Sequence, residues 1–564
     1  ELSIHNHAFN GFARYQFSEH FSMDIMESLM IRSSLYNAAF DYYYFNYQNI
    51  SKLKRVDMQS SEDVILFNHQ VNMNYYNTFG KHDLNFVLAN RYYKDNLWWR
   101  VDTIEGTLDK HYALKNSMAA YGPKGSVLRN LTSYIGHASY NYDKRYFISA
   151  ILNLSRIKEG IHTDYYTVFP SVAVSWDMAR ERFFPHALRM DNLKWFINWG
   201  KSGNYPLNGL SNDLYVDLPL ENDGFPQYYP SIHQLSNHAL KHENTSEIDM
   251  GLKSVWYNNR LKFSAGYFHK TISDLILQRN IPLYYGGGKM FINIAEIVAK
   301  GYEFSLEGSP LQTKNTFWLL SFNFATSSQI VTRLDREKSM LFRNADLLIP
   351  DFMIKEGQGV GDIYGYRYLG KWTEEDWEHP DRFVNVMQSK FLNTDSSDHM
   401  LTQSDKVVLG NSLPDFTWNI SSYFSYKNLS VEMIWYSAWG QEKYNATRAG
   451  TYIGAVNRET VGYINDSTWA LRSDVFYESD LFVEDASFIK LKNISFNYSI
   501  AKKIAGRLKV SFSLSFENMV TLTRYKGYDP EATIFTDNNF SDNAIDKGAY
   551  PNPRAIYASI NLKF

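Results

Sequence analysis

The densest group of ionisable side chains in this sequence is an acidic run beside two tryptophans. The run contains Glu374, Glu375, Asp376 and Glu378. A glycosidase needs two carboxylates at a fixed separation, which a sequence cannot give, and adjacent carboxylates on a loop are more often solvated. We therefore interpret the run as a recognition surface, whose aromatic faces stack on sugar rings or peptide side chains. The candidate ligand-contact residues are Tyr364, Tyr366, Trp372 and Trp377; the alternative is that they pack the loops or face a partner protein.

Other motifs lack the context that their chemistry requires. His238 and His242 have the spacing of two zinc ligands on a helix, but no third ligand is evident nearby. Gly357, Gly359 and Gly361 resemble a nucleotide loop only faintly, because no strand–turn–helix unit surrounds them. No nucleophile, metal cluster or cofactor loop stands out. We therefore predict a protein that is not an enzyme, with no catalytic residue and no metal ligand.

The elements that would position the candidate side chains are β-strands. In residues 555–564 apolar and polar residues alternate strictly, and the same holds for residues 508–517. A period of two indicates a strand, and an apolar face backed by a polar face is typical of a transmembrane β-barrel. The polar face would line the lumen, and its predicted members are Ser511, Ser513, Ser515, Glu517, Asn561 and Lys563. The terminal aromatic residue, Phe564, is the predicted signal for the barrel-assembly machinery.

Composition agrees with a membrane barrel and excludes several other classes. Aromatic residues make up 16% of the 564 residues, with 42 Tyr and 13 Trp, which suits aromatic girdles at two membrane interfaces. The absence of cysteine excludes a disulfide scaffold and a zinc ribbon. A net charge of −3 lacks the basic excess of a nucleic-acid-binding protein. No apolar run reaches the roughly 18 residues of a transmembrane helix.

The connections between predicted strands alternate between short turns and long polar segments. Short hairpin turns are predicted at residues 18–20, 79–81, 143–145, 258–259 and 427–428. Long irregular extracellular loops are predicted near 35–62, 96–130, 201–246, 331–412, 440–485 and 521–552. Bacterial barrels have short periplasmic turns and long outer loops, and this reading gives about 17 strands. An odd count would place residue 1 on the outer side and further strands before it.

Nine segments in order along the chain resemble one family. They are residues 131–156, 169–183, 193–204, 299–310, 354–372, 407–433, 483–500, 517–531 (ENMVTLTRYKGYDPE) and 550–564 (YPNPRAIYASINLKF). They are similar to the SusC/RagA-like TonB-dependent outer-membrane transporters of the Bacteroidetes. The resemblance implies an all-β, antiparallel barrel of about 22 strands, of which residues 1–564 would form the C-terminal portion. The plug, the TonB box and the first strands are not visible in this sequence, so we expect them upstream of Glu1 unless this member has lost them.

The resemblance also implies a function and partners. It implies uptake of oligosaccharides, glycans or peptides across the bacterial outer membrane with TonB-derived energy, together with a SusD-like surface lipoprotein. Outer-membrane lipid and the barrel-assembly machinery are the other expected partners, and nucleic acid is not. Two alternatives stay open: a structural subunit of a larger outer-membrane complex that transports nothing, and a soluble or surface adhesion protein.

One departure from the family bears on metal binding. Relatives often carry a calcium-like loop where this chain has residues 393–405. Asn393 and Asp395 keep part of the oxygen-ligand spacing, but Asp398 stands where such a loop needs glycine. We therefore expect a solvated polar loop and assign no cofactor, with calcium near Asn393 and Asp395 as the alternative.

Overall fold

The chain is built almost entirely from β-strands. A computed structural model describes residues 2–46, 49–108, 114–159, 163–185, 189–204, 214–222, 225–335, 338–342, 352–378, 383–386, 389–394, 400–449, 478–500, 509–533 and 544–563. Its longer strands are β1 Leu2–Gln16, β2 Phe21–Asn46, β3 Asn49–Phe79, β4 His82–Leu108, β5 Leu114–Tyr142, β6 Tyr146–Glu159, β7 Thr163–Asp177, β8 Met190–Asn204, β9 Leu214–Asn222, β10 Phe225–Leu235, β11 Glu243–Trp256, β12 Leu261–Asn280, β13 Lys289–Gln312, β14 Thr316–Thr326 and β15 Ser328–Leu334.

The second half of the chain adds short strands between long ones. They are β16 Ser339–Phe342, β17 Phe352–Lys355, β18 Asp362–Gly365, β19 Tyr368–Lys371, β20 Phe383–Val386, β21 Ser389–Leu392, β22 Val407–Asn411, β23 Phe416–Tyr426, β24 Leu429–Trp439, β25 Glu442–Asn445, β26 Val483–Asp485, β27 Phe488–Ser499, β28 Lys509–Thr523, β29 Ile545–Asp546 and β30 Ala555–Lys563. Single 3₁₀ turns occur at Met178–Arg180, Leu283–Tyr285, Glu374–Glu378, Gln403–Asp405 and Asp480–Phe482. Within the described ranges, no helix is long and apolar enough to cross a membrane.

The chain divides into two compact units. The first comprises Glu1–Trp176, Ile197–Ser246 and Ser273–Ile294, and the second comprises Asp177–Phe196, Glu247–Ile272 and Ala295–Phe564. In the first unit, β1 to β7 pair antiparallel in chain order. The turn at Gly80 has a φ of 63°, and Asp143 and Lys144 have φ of 54° and 56°. Such left-handed turns match the twist of a hairpin, and they confirm the predicted turns there.

The sheet of the first unit has one apolar and one polar face. Tyr134 on β5 and Val168 on β7 are 55% and 51% exposed, and both lie in register with Leu154 of β6. The next cross-strand pair, Ser133 of β5 and Ser155 of β6, points to the other face, and these residues are only 4% and 3% exposed. Their hydroxyls are 2.8 Å apart. The apolar side chains are therefore the exposed ones, which is the reverse of a soluble protein and suits contact with lipid.

The second unit contains a second antiparallel series and a set of small sheets. β14, β23, β24, β27, β28 and β30 pair in that order. Strands β16, β17, β18 and β22 form one small sheet, while β19–β21 and β25, β26 and β29 form two more. The turns at Asn258 and Lys427 have φ of 58° and 51°, which confirms the predicted hairpins at 258–259 and 427–428.

A hydrophobic core, which we call the loop core, lies in the connections of the second unit. Its buried members are Ile363, Tyr444, Ala446, Ala449, Phe482, Ala544 and Ile545. They come from β18, β25, β29 and the 3₁₀ turn Asp480–Phe482, with Ala446, Ala449 and Ala544 in the adjoining chain, so connections distant in sequence are packed together. Tyr444 and Phe482 meet edge to face with ring centroids 6.1 Å apart. This packing fixes the connections as one body.

The prediction of irregular structure is wrong for two of the six predicted loops. Residues 35–46 belong to β2 and residues 49–62 to β3, and the two strands remain paired up to Asn46 and Asn49. Residues 96–108 belong to β4 and residues 114–130 to β5, and the two strands remain paired up to Leu108 and Leu114. Pairing uses backbone groups that every residue except proline carries, so a hairpin can continue without the alternation by which strands are recognised. The structure describes more strands than the predicted number because further strands occur within other predicted loops: β9 and β10 within 201–246, β16 to β22 within 331–412, β25 and β26 within 440–485, and β29 within 521–552.

Candidate functional site

The residues predicted to line a lumen lie together on one face of β27, β28 and β30. Ser495 Oγ and Ser515 Oγ are 2.9 Å apart, and the Ser513 hydroxyl donates to Asn497 Oδ1 at 2.6 Å. Cross-strand pairing places the remaining members on the same face: Ser511 opposite Asn561, Glu517 opposite Asn493, and Lys563 opposite Lys509. The structure therefore brings all six predicted residues onto one polar face. That this face lines a lumen stays a prediction.

The opposite face of the same strands is apolar and exposed. Phe512 and Leu514 of β28 are 43% and 39% exposed, and Ile556 and Ile560 of β30 are each 65% exposed. Phe512 lies opposite Tyr498 on one side and Ile560 on the other, so the apolar side chains form continuous rows across the strands. Burying one such side chain, rather than leaving it in water, stabilises by about 1.5–3 kcal/mol. This face is therefore expected to be covered by an apolar medium.

A segment that we call the strap, residues 524–533, is fixed to β27 by an ionic clasp. Lys490 has a side chain 1% exposed, and its Nζ lies 2.9 Å from Asp529 Oδ1 and 2.5 Å from Glu531 Oε2. Lys492 reaches Glu531 Oε2 at 2.6 Å. Asp529 Oδ2 also accepts from the backbone N–H of Asn552 at 3.0 Å. The clasp therefore ties both ends of the last connection to one strand.

A β-bulge explains how two lysines of β27 reach the strap. The pairing of β27 with β28 shifts between Leu491 and Asn493, and the pairing with β24 shifts at the same point. Before the bulge Lys490 lies in register with Tyr436, and after it Asn493 lies in register with Ile434. The extra residue switches the polar face from even to odd positions. The clasp therefore continues the polar face that carries the serines.

Burial changes the ionisation of the groups around the strap. Desolvation lowers the pKa of Lys443 from 10.5 to about 8, although nearby Asp546 and Asp529 oppose the change. The Lys443 ammonium donates to the backbone carbonyl of Ala532. Burial pushes the pKa of Asp529 upward, but the N–H of Glu531, the Lys490 ammonium and the N–H of Asn552 together hold it below its usual value. Asp529 is therefore a carboxylate at neutral pH.

Tyr525, near the start of the strap, makes a second attachment through a hydrogen bond. Its hydroxyl donates to Asp546 Oδ2 at 2.8 Å, and the residue is 6% exposed. Burial and the adjacent Asp546 carboxylate raise the pKa of the Tyr525 phenol. The side chain is therefore a neutral hydrogen-bond donor at physiological pH, and it connects the strap to β29 in the loop core.

The aromatic candidates for ligand contact differ in position. Tyr366 is 7% exposed and packs with the fully buried Phe391, so its ring has no free face for a ligand. The Nζ of Lys406 lies 5.3 Å from its centroid. Tyr364 is half-buried, and burial raises its pKa. Trp372 is half-buried as well, whereas the side chain of Trp377 lies outside the described residues.

The carboxylates of the acidic run do not form a catalytic pair. Asp376 is 5% exposed, and its Oδ1 lies 2.7 Å from the Nζ of Lys390. Its Oδ2 accepts from the backbone N–H of Thr373 at 2.8 Å. Glu374 and Glu375 are exposed on the 3₁₀ turn. Asp376 therefore holds the turn in place, and its neighbours are solvated.

The calcium-like segment is stabilised by its own residues. Asp405 is fully buried, and its carboxylate accepts from the backbone N–H of Thr394 at 2.7 Å and of Thr402 at 2.8 Å. Asn393 is buried, and Asp395 lies outside the described residues. In the described part of the chain, no three His, Cys, Asp or Glu side chains come close enough to hold a metal ion.

The clasp is the feature that sequence reasoning missed. Lys490 and Lys492 interrupt the apolar residues Phe488, Ile489 and Leu491, and a lysine at a buried strand position needs a buried partner. The two lysines therefore indicated a buried ion pair. Their partners could not be identified from the sequence, because Asp529 and Glu531 follow about 40 residues later in a stretch interpreted only as a loop.

Comparison with known proteins gives the family. The family model described as TonB dependent receptor-like, beta-barrel matches residues 4–518. TonB-dependent receptor P3 of Formosa agariphila is 27% identical over 458 residues, which cover 77% of this chain and 45% of that protein. TonB-dependent receptor SusC of Bacteroides thetaiotaomicron is 23% identical over 497 residues, which cover 81% of this chain and 46% of that protein. The chain therefore spans about half the length of these curated relatives.

A solved structure gives the fold. The RagAB peptide transporter superposes with a TM-score of 0.76 at 18% identity, over 100% of this chain and 62% of that chain. The all-β antiparallel class and the resemblance to SusC and RagA are thereby confirmed. From the family match over residues 4–518, the two-faced sheets and this superposition, we conclude that the chain belongs to the β-barrel family of TonB-dependent receptors.

Proposed function

We propose that the chain is the barrel wall of an outer-membrane importer that takes up oligosaccharides, glycans or peptides with TonB-derived energy. The family consists of transporters rather than enzymes, and its barrel fold implies an outer membrane. The observation that carries the proposal is the two-faced sheet. Exposed Phe512 and Ile560 on one face suit lipid, while Ser513 and Ser515 on the other suit a water-filled passage.

The proposal assigns a side to each end of the strands. The short turns at 18–20, 79–81, 143–145, 258–259 and 427–428 would face the periplasm, as in bacterial barrels generally. The connections near 35–62, 96–130, 201–246, 331–412, 440–485 and 521–552 would then face outward, including the two that are paired hairpins. In this arrangement the loop core and the strap lie at the outer mouth, where a substrate or a partner first meets the protein.

The proposal includes a SusD-like surface lipoprotein as the partner at that mouth. Its support is the likeness to SusC and to the structure of the RagAB peptide transporter. The loop core supports it as well, because connections packed as one body offer a fixed surface to a second protein. Within that region, Tyr364, Trp372 and Trp377 remain the proposed ligand-contact residues.

Uptake measured in cells that lack their own copy of the gene tests the proposal. The intact protein is supplied with either Ser513→Trp or Leu514→Trp, which place the same side chain on opposite faces of β28. We expect Ser513→Trp to reduce uptake of labelled oligosaccharide or peptide, and Leu514→Trp to leave it unchanged at equal barrel abundance. Copurification from the same cells identifies any lipoprotein partner.

Two outcomes would contradict the import proposal. One is normal uptake in cells that lack the protein entirely, with every oligosaccharide and peptide pool offered. The other is an equal effect of both tryptophans on uptake. Either result, combined with stable copurification of other envelope proteins, would favour the structural-subunit alternative.

A further inference from the structure

A long groove crosses the apolar face of the second unit beside the short turns. It has a volume of about 1310 Å³, which exceeds the roughly 300–1,000 Å³ of pockets for drug-sized ligands. Its floor includes Leu261, Leu306, Leu320, Phe322 and Ile420. We call it the arginine groove, because Arg189 and Arg260 stand at its end.

Strand register places the floor on the side proposed to meet lipid. Leu306 of β13 lies opposite Phe322 of β14, which lies opposite Ile420 of β23. Leu306 and Ile420 are 37% and 38% exposed. Four residues further along β23, and therefore on the same face, Phe424 lies opposite Val431 of β24, in the apolar row that leads to Phe496 of β27. The groove is therefore an open apolar surface rather than part of the polar face.

The absence of a side chain at Gly308 leaves space in the groove. At Gly308 a Cβ atom would lie 3.4 Å from Leu261 Cδ1, so the missing side chain leaves a notch beside that leucine. The pairing of β13 with β14 also shifts between Gly308 and Leu311, which bends the strand at this point. An extended acyl chain fits such a notch, because it is narrow and apolar along its whole length.

The groove ends in hydrogen-bond donors of positive charge. Arg189 and Arg260 are exposed, and no described carboxylate lies within ion-pair distance of either guanidinium. Asp191 also lines this end, but its Oδ2 already accepts from the backbone N–H of Asn259 at 3.0 Å. Among the described lining residues, Arg189, Arg260 and Asp191 thus give this end of the groove a net charge of +1. A guanidinium offers paired donors that match a phosphate bidentately.

We propose that the arginine groove binds an anionic glycerophospholipid, with its phosphate between Arg189 and Arg260 and an acyl chain along the apolar floor. The choice of lipid rests on the proposed function. That function places the short turns at the periplasmic leaflet, and this end of the groove lies beside them. That leaflet is the phospholipid side of an outer membrane. The site would hold the lipid at a fixed depth and anchor the wall where β8, β12 and β13 begin or end.

Native mass spectrometry of the intact, delipidated protein tests this site with phosphatidylglycerol as the probe. Two arginines near a membrane surface contribute about 1 kcal/mol each, so the double variant Arg189→Gln, Arg260→Gln should bind phosphatidylglycerol about 30-fold more weakly. Gly308→Phe should fill the notch and reduce lipid retention with the arginines intact. Lys262→Gln is the matched control, because Lys262 pairs with Glu307 at 2.8 Å on the polar face.

The controls separate the possible ligands and the two proposals. Phosphatidylcholine with the same acyl chains should bind more weakly than phosphatidylglycerol, and inorganic phosphate should not compete. Equal binding of the two lipids, an unchanged double variant, or preferential binding of lipid A would overturn the proposal. Uptake is measured on the same variants: lost lipid binding with normal uptake supports the site and leaves import intact. Normal lipid binding in a protein that imports nothing removes the import proposal alone.

Discussion

Replacing Lys490 by methionine tests the ionic clasp most directly. Methionine keeps most of the volume of a side chain that is 1% exposed, but it leaves the carboxylates of Asp529 and Glu531 without their shared ammonium. Removing one partner of a buried ion pair destabilises by about 3–5 kcal/mol, because the remaining charge stays buried and uncompensated. Glu531 keeps Lys492, so most of the loss falls on Asp529.

Hydrogen exchange of the intact protein in detergent measures this effect. The backbone N–H groups of Glu531 and Asn552 both donate to Asp529, so they report the opening of the clasp. At about 1.4 kcal/mol per factor of ten, we expect their protection to fall at least 100-fold, or to the unprotected limit. Exchange in the apolar rows of β28 should not change, because the strand remains paired.

Two further variants make the test specific. Lys492→Met removes a lysine whose side chain is 31% exposed and whose one ion-pair partner among the described carboxylates is Glu531, so the loss should stay within about 1 kcal/mol. The double variant Lys490→Met, Asp529→Asn removes both charges, and it should recover part of the protection that the single change loses. If the two lysine variants behaved alike, or if Lys490→Met left protection unchanged, the argument that a buried clasp holds the strap would fail.

The structure predicts the effects of three further perturbations: a change of pH, a lysine substitution on either face of β28, and a glycine-to-alanine substitution. Because the pKa of Lys443 falls from 10.5 to about 8, its contribution to strap stability is complete above about pH 10.5 and is lost as the pH falls through about 8. Resistance of the strap to protease should therefore rise between pH 8 and 10, and Lys443→Met should flatten that rise; a fall with pH in the native protein would contradict the assignment. Phe512→Lys should lower the unfolding free energy in lipid vesicles by about 2–4 kcal/mol at mid-membrane depth, whereas Ser513→Lys should not, and equal losses would contradict the face assignment. Gly365→Ala should lower the melting temperature, because its Cβ would lie 2.0 Å from the Glu478 carbonyl, whereas Gly136→Ala, with Leu88 at 3.9 Å, should not.

Alternation predicted the two-faced strands because each strand carries that information locally. The residues 511, 513 and 515 on one side and 512 and 514 on the other need only their own neighbours in sequence to be assigned to faces. The tight turns were predictable for the same reason, since Gly80 and Asn258 favour the left-handed conformation that a hairpin needs.

The candidate site was less predictable because it is formed by residues distant in sequence. Tyr366 reads as an exposed loop aromatic, yet Phe391 and Lys406 from later segments bury it. Lys490 reads as a lysine in a strand, and only the folded chain brings Asp529 to it. The paired hairpins within 35–62 and 96–130 are local in sequence, but they were missed as well. Their strands pair through backbone groups, and the side chains there do not alternate between apolar and polar.

The two-ended attachment of the last connection bears on how such proteins diversify. Asp529 joins the strap to Asn552, and Tyr525 joins it to Asp546, so the ends of the connection are fixed by residues at its base. Insertions or substitutions between positions 533 and 544 change none of these four residues. Closing a longer loop costs little, about 0.6 kcal/mol for each doubling of its length. The sequence between these positions can therefore change while the contacts of Asp529 and Tyr525 are kept.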